Sequence, residues 1–247
     1  MARLSTLILL SAFLLAGCAA ARAQEDAPPA LLFVVTGQSN AGQLGRGGAS
    51  VPGAWYYAPQ LSARVMPLGP VDGTFGAELG FARAVREACP GREVLIVKRW
   101  RNATGIEAWQ PASGRMWRLT AAAVERGRAL FGRPVEAAGV LWIQNEYDTR
   151  TAARGLAYEG RLRALVGAWR AAWGPVPVML MGVHTDGGGA GSVAAALEAV
   201  AADGGAAVVR ADDLPVKDDG VHFDNTGLDE LGQRMAAAWL ALRGGCE

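Results

Sequence analysis

The chain has 247 residues, 51% hydrophobic and 19% charged, with 33 Gly and 3 Cys. At roughly 100–200 residues per domain this length fits one large domain, able to bury ~70% of the surface that its unfolded chain would expose. The 24 Lys and Arg nearly balance the 23 Asp and Glu for a formal charge of +1, with no basic block, so nucleic acid is excluded as a partner, and the lack of a Gly-X-Y period or low-complexity run excludes fibrous and disordered classes.

The first residues read as an address. Arg3 supplies a positive charge ahead of an apolar stretch, Leu7 to Leu15, of signal-peptide length and too short for the ~20 apolar residues of a membrane span. Two cleavage sites compete. Leu15-Ala16-Gly17-Cys18 resembles a bacterial lipobox, which would make 1–17 a lipoprotein signal peptide and Cys18 the lipidated residue. Ala21-Arg22-Ala23 is an A-x-A site that would make 1–23 an ordinary signal peptide. Residues 18–30 read as a short tether and 31–245 as the folded domain. Either reading places the protein outside the cytoplasm, in the periplasm or at the cell surface. Lipidation would hold it to a membrane; without it the protein is secreted. An oxidising compartment would let Cys89 and Cys246 pair.

Leu31–Val35 is a continuous apolar run bounded by Thr36-Gly37, and similar runs follow at Val94–Val97, Val140–Ile143, Val176–Met181 and Ala207–Val209. Runs without alternation are expected of strands covered on both faces. Between them the spacing predicts helices over Glu78–Ala88, Trp117–Leu130, Thr151–Trp173, Ser192–Ala202 and Gly227–Leu242. In the last, Leu228, Leu231, Met235, Trp239 and Leu242 form an amphipathic stripe. Five strands alternating with five helices predict a three-layer α/β/α sandwich around a five-stranded parallel sheet. Ligands of such sheets sit beyond the carboxyl ends of the strands.

Two loops at such ends carry reactive groups. After the first run comes Thr36-Gly37-Gln38-Ser39-Asn40, in which Ser39 would open the next segment. A serine there has an exposed hydroxyl near free backbone N–H groups, although Ser is also a common N-cap. Near the other end lies Asp219-Gly220-Val221-His222, where one loop presents an imidazole and a carboxylate to orient it. A hydroxyl, a base and an orienting acid are the parts of a nucleophilic triad. Only two histidines exist; the other, His184, reads as a polar loop residue. No HExxH, CxxC or EF-hand spacing is present, so no metal is implied.

Five blocks in order carry a resemblance to a known family. Gly37-Gln38-Ser39-Asn40 resembles the nucleophile block of the SGNH hydrolase superfamily in its sialate O-acetylesterase and carbohydrate esterase family six branch, the acetylxylan esterase-like one. Phe75–Phe81, Lys98–Trp109, Trp142–Asp148 and Asp219–Phe223 resemble its further blocks, and coverage runs from about residue 31 to 240. The resemblance implies the SGNH (flavodoxin-like) fold, and an esterase that removes acetyl groups from carbohydrate hydroxyls without metal or organic cofactor. It implies Ser39 as nucleophile, His222 as base and Asp219 as the acid behind it. Glu146, at the end of a neighbouring strand, is the rival acid. The implied oxyanion hole draws on the Ser39 backbone N–H, a backbone N–H in the Lys98–Trp109 block and a side-chain amide of Trp142–Asp148.

Two residues depart from the family pattern. Ala103, preceded by Asn102, stands where the family has a second Gly, and a positive φ there would strain an alanine. Asn145 stands where the family has Gly, leaving Gln144 and Asn145 as candidate amide donors. Trp55, Tyr56 and Tyr57, read as a loop, are candidates to stack on a sugar, as is Trp109; the alternative is packing against the core. Other readings of the same scaffold are a lysophospholipase or thioesterase, a peptidoglycan O-acetyl esterase, or an inactive carbohydrate-binding lipoprotein. The sugar, the acylated position and the oligomeric state carry no sequence signal.

Overall fold

The computed structural model describes residues 28–246. The leader, Cys18 and residues 18–27 of the tether lie outside the described residues. The main chain alternates strands β1 (Ala30–Gly37), β2 (Gly45–Arg46), β3 (Ala54–Tyr57), β4 (Met66–Pro67) and β5 (Thr74–Phe75) with the first helix, α1 (Glu78–Ala88). There follow β6 (Val94–Trp100), α2 (Arg115–Phe131), β7 (Val135–Ile143), α3 (Ala152–Trp173), β8 (Val178–Met181), α4 (Ala190–Ala202), β9 (Ala206–Val209) and α5 (Asn225–Arg243). The central sheet runs β4-β3-β6-β1-β7-β8-β9.

The sheet has seven strands, not five. The five predicted ones are contiguous and parallel, from β6 to β9 at one edge. The additions lie at the other edge, where β3 runs parallel to β6 and β4 turns back antiparallel to β3. Trp55, Tyr56 and Tyr57 therefore stand in a strand rather than a loop. Tyr56 and Tyr57 are buried, and Trp55 packs edge-on against Phe131 while its indole N–H donates to Glu93. Packing against the core, not stacking on a sugar, accounts for this cluster.

Alternate residues of β1 feed two cores, as the period of a strand requires. Leu31, Phe33 and Val35 face α1 and α5, meeting Phe81, Val85, Leu231 and Trp239. Leu32 and Val34 face α2, α3 and α4, meeting Val124, Leu165, Trp169 and Leu197. Phe33 sits edge-on to both Phe81 and Trp239, and the Trp239 indole donates 2.8 Å to the carbonyl of Ala138. The residues predicted as an amphipathic stripe on α5 bury Leu228, Leu231, Met235 and Trp239.

Cys89, just past α1, and Cys246, just past α5, form a disulfide with a sequence separation of 157. Closing so long a loop restricts the unfolded chain, worth typically about 2–4 kcal/mol, and ties the chain end onto the sheet's helical layer. Among the described residues no helix is long and apolar enough to cross a membrane.

Because the central strands are parallel, β1, β6, β7 and β8 deliver their following loops to one edge of the sheet. In register, Gly37 pairs with Trp100 on one side and Ile143 on the other. Gly37 has φ 147°, and a Cβ there would fall 1.9 Å from the Ile143 carbonyl oxygen. Only glycine lets β1 end this close to β7, which sets Ser39 beside the β7 loop.

Candidate active site

Ser39 begins a single 3-10 turn, Ser39–Ala41, rather than a longer helix. The turn is closed by Gly42 N–H donating to the Ser39 carbonyl at 2.8 Å. Behind it lies a buried ion pair. Lys98 Nζ donates to Glu78 Oε2 at 2.6 Å and to the Gly42 carbonyl at 2.8 Å, while Glu78 Oε1 accepts from Gly76 N–H at 3.1 Å. Burial pushes the Lys98 ammonium down from its ordinary value, and the adjoining Glu78 carboxylate opposes that shift.

The His222 loop meets this turn from the other side. His222 Nε2 lies 2.9 Å from Ser39 Oγ, and His222 Nδ1 lies 2.7 Å from Asp219 Oδ2. Asp219 Oδ1 accepts the backbone N–H groups of Val221 and His222 at 2.9 and 2.8 Å. The backbone N–H and imidazole of His222, followed by Val221 N–H, hold the Asp219 carboxyl far below the usual carboxylate range. Asp219 is thus ionised at any pH where the fold is expected to work, and it accepts the Nδ1 proton, leaving Nε2 free to take one from Ser39.

Glu146 makes no such contact with His222. Its Oε1 accepts from Asn40 Nδ2 at 2.6 Å and its Oε2 from Asn145 N–H at 3.0 Å. Asn40 in turn donates to the Val221 carbonyl at 3.0 Å and accepts Phe223 N–H at 3.1 Å through Oδ1. One buried amide therefore joins the Ser39 turn, the β7 loop and the His222 loop. The loop after β8 adds His184, whose Nε2 lies 2.9 Å from the same Val221 carbonyl and whose ring packs on Phe223. Sequence reasoning passed over Asn40 except as a letter of its motif, because its partners are more than 100 residues away.

These groups edge a cavity of about 310 Å³ lined by Gln38, Ser39, Asn102, Ala103, Glu146, Arg150, Thr185, Asp186, Val221 and His222. Arg150, Thr185 and Asp186 were not anticipated; they lie in loops without a distinctive pattern. Ala103 has φ 53°, the left-handed conformation the departure from Gly put in question. An alanine pays a strain of order 1–2 kcal/mol there. The fold thus keeps the backbone course of this loop despite the residue change. Among the described residues, neither the Ser39 nor the Ala103 backbone N–H is spent on an internal acceptor.

Gln144 and Asn145 are not available as amide donors to that cavity. Both are fully buried. Gln144 Nε2 donates to Asp148 Oδ2 at 2.6 Å and to the Thr104 carbonyl at 3.0 Å; Asn145 Nδ2 donates to the carbonyls of Met181 and Gly182. Once the chain leaves β7 it turns inward, so these amides tie neighbouring loops together. Trp109 is likewise buried, edge-on to Trp142, with its indole donating to Thr104 Oγ1. It supports the loop and does not reach the cavity.

Asp148 lies beneath this network. Burial lifts its carboxyl from 3.8 to about 6, against the pull of the Gln144 amide and Ile106 N–H on Oδ2. Its Oδ1 is buried without a partner, a natural place for the proton. A folded-state pKa above the unfolded one means that stability from this group is complete below about pH 4 and lost as pH rises through about 6. The loss amounts to roughly 3 kcal/mol at 1.36 kcal/mol per unit. Asp148→Asn should therefore gain on the wild type between pH 4 and 7 in paired thermal melts. A pH-independent difference would show that Asp148 is ionised throughout.

A family model described as carbohydrate esterase, sialic acid-specific acetylesterase, matches residues 61–241. The chain belongs to that family. This sialic acid-specific acetylesterase family member is a carboxylic ester hydrolase. The matched span takes in Asp219 and His222 and begins after Ser39. No curated protein sequence matches. Among solved structures, the acetylesterase family member is similar to a protein of Arabidopsis thaliana at 22% identity, covering 87% of this chain and 99% of that one, with TM-score 0.74. It is similar to NanS at 15% identity, with 87% and 98% covered and TM-score 0.68. A carbohydrate acetylesterase from Xanthomonas citri aligns at 16% identity over 85% of this chain and 56% of that one, TM-score 0.56. At these identities the likeness is one of fold, a three-layer α/β/α sandwich around a mostly parallel sheet.

Proposed function

We propose that the protein removes acetyl groups from carbohydrate hydroxyls by way of a Ser39–His222–Asp219 triad. The observation that carries this reading is the pair of contacts, 2.9 Å from Ser39 Oγ to His222 Nε2 and 2.7 Å from His222 Nδ1 to Asp219 Oδ2, opening on one cavity. Ser39 Oγ attacks the ester carbonyl as His222 Nε2 takes its proton. The carbonyl oxygen, now anionic, is met by the N–H groups of Ser39 and Ala103 and by the Asn102 side chain on the same wall. Collapse breaks the carbon–oxygen bond to the sugar, whose alkoxide takes the proton from His222. Water, activated by the neutral imidazole, then attacks the acetyl-Ser39 ester and releases acetate. Asp219 is already ionised, so it adds no titration of its own to the acid limb of the pH profile.

Acetyl rather than long-chain specificity is supported by the small volume of the cavity, about 310 Å³, and by the family. Acetate release from acetylated sugars and from p-nitrophenyl acetate, with Ser39→Ala as the blank, tests the proposal. Turnover confined to long acyl chains would replace it with a lipid esterase, and turnover equal to the blank would remove it.

Export is part of the same reading. It is supported by the signal-peptide pattern of residues 1–23 and by the Cys89–Cys246 disulfide, which belongs to an oxidising compartment. Cys18→Ser is expected to move the protein from the membrane fraction to the soluble one with its esterase activity intact. A native N-terminus at Gln24 would rule the lipid anchor out.

A further inference from the structure

The loop that supplies Asn102 and Ala103 leaves β6 through Arg99, Trp100 and Arg101, and a second cavity lies on its far side. This cavity, about 320 Å³, is lined by Arg99, Trp100, Arg101 and Arg115, with no carboxylate on its wall. Among the described residues none of the three guanidiniums pairs with an acid. Other arginines of the fold do pair, as Arg83 does with Asp229 and Arg234 with Asp213.

The placement is electrostatically costly as it stands. Arg115 is the first residue of α2, whose first turn holds no acidic residue, so a cation occupies the positive end of a helix dipole. Arg99 Nε is buried without a hydrogen-bond partner. Burial first, then Arg115, push the Arg99 guanidinium below its ordinary value, with Arg101 adding to the repulsion. An anion seated among them would relieve the Arg99 guanidinium and meet the exposed ones of Arg101 and Arg115.

The cavity also neighbours the site through shared lining residues. Trp100 and Arg101 line an adjoining hollow together with Asn102, and Asn102 lines the cavity of Ser39. The half-exposed indole of Trp100 offers a face for a sugar ring along that path.

We infer that the Arg99–Arg101–Arg115 cavity is a subsite for a carboxylate on a sugar neighbouring the acetylated one, so that the preferred substrate is an acidic oligosaccharide. The inference rests on the esterase reading but concerns a different cavity from the one in which the ester reacts. The guanidiniums flank Trp100 rather than Ser39, which places the charge on a separate unit from the acetyl group.

The test compares O-acetylated oligogalacturonate with the same oligomer after its carboxylates are converted to primary amides. The wild type should favour the charged oligomer about tenfold in kcat/KM at low salt, through KM, and lose that preference as salt rises. In Arg101→Gln/Arg115→Gln the ratio of the two substrates should fall to near one. Calorimetry of unacetylated oligogalacturonate on Ser39→Ala, with and without the two Gln substitutions, reads the same subsite without turnover and should show binding lost in the triple variant. Equal kcat/KM for charged and amidated oligomers in the wild type, or a ratio unmoved by the two substitutions, overturns the inference. Loss of turnover on every acetyl ester with oligogalacturonate binding retained would instead overturn the esterase reading and leave the subsite standing.

Discussion

Asp219→Asn is expected to lower turnover by up to ~10⁴-fold, about 5 kcal/mol of barrier, while Glu146→Gln lowers it by less than tenfold. The asymmetry follows from which atoms each carboxylate meets. Asn at 219 can keep the two backbone N–H groups of Val221 and His222 on its remaining oxygen, so the loop should hold its shape. Its amide nitrogen would then face His222 Nδ1 in place of Oδ2. Two donors cannot share that position, so the imidazole shifts its proton to Nε2, aimed at Ser39 Oγ, and can no longer act as base. Glu146→Gln changes a different set of bonds. One oxygen can still serve Asn40 Nδ2, but the amide nitrogen would oppose Asn145 N–H. That conflict costs about 1–3 kcal/mol of stability and should register in melting temperature with little change in turnover. Kinetics paired with thermal melts separate the two outcomes. If Glu146→Gln loses thousands-fold and Asp219→Asn less than tenfold, the roles are reversed. Comparable large losses in both would mean that the imidazole answers to the pair, through Asn40 and the Val221 carbonyl.

The reach of the sequence is clearest where residue type alone determines position. Continuous β-branched and aliphatic runs too short for a helix read as strands, and those runs became the five contiguous parallel strands from β6 to the β9 edge. Edge strand β3 has just four residues, Ala54-Trp55-Tyr56-Tyr57, behind Pro52-Gly53, and β4 has two. Neither is long enough to carry a period, so a strand full of aromatics read as a decorated loop. That Ser39, Asp219 and His222 meet was legible because hydroxyl, imidazole and carboxylate all fell at strand ends or in one loop. The interior amides were not. Whether Gln144 and Asn145 face a cavity or a neighbouring carbonyl depends on which way the chain turns after β7, and that turn is set by the β8 and Thr104 backbones it lands on. Asn40 shows the same limit, since the value of its side chain lies in joining three loops. Ala103 was legible in the opposite sense. A residue out of keeping with its expected backbone marked the one place where the loop at the cavity wall is strained.

The second large effect is expected at Lys98. Lys98 and Glu78 are almost wholly buried, with 0% and 2% of their side chains exposed, and each leans on the other for its charge. Lys98→Met leaves the Glu78 carboxylate unpaired in the interior, which should cost about 3–5 kcal/mol in chemical denaturation at neutral pH. Glu78 sits in the first turn of α1, where the helix dipole offsets part of that cost. Adding Glu78→Gln removes the stranded charge, while the Gln oxygen can still accept Gly76 N–H as Oε1 does now. The double variant should therefore recover more than half of the lost stability. Activity should not follow. The Gly42 carbonyl loses its Lys98 donor in both variants, and Gly42 closes the turn that aims Ser39. A refolded but loosened turn would place Ser39 Oγ off the 2.9 Å contact with His222, lowering kcat more than raising KM. A Lys98→Met variant within about 1 kcal/mol of wild type would mean that the pair is not what holds this corner together. A double variant with full stability and full kcat would show that the pair stabilises the fold without positioning the nucleophile.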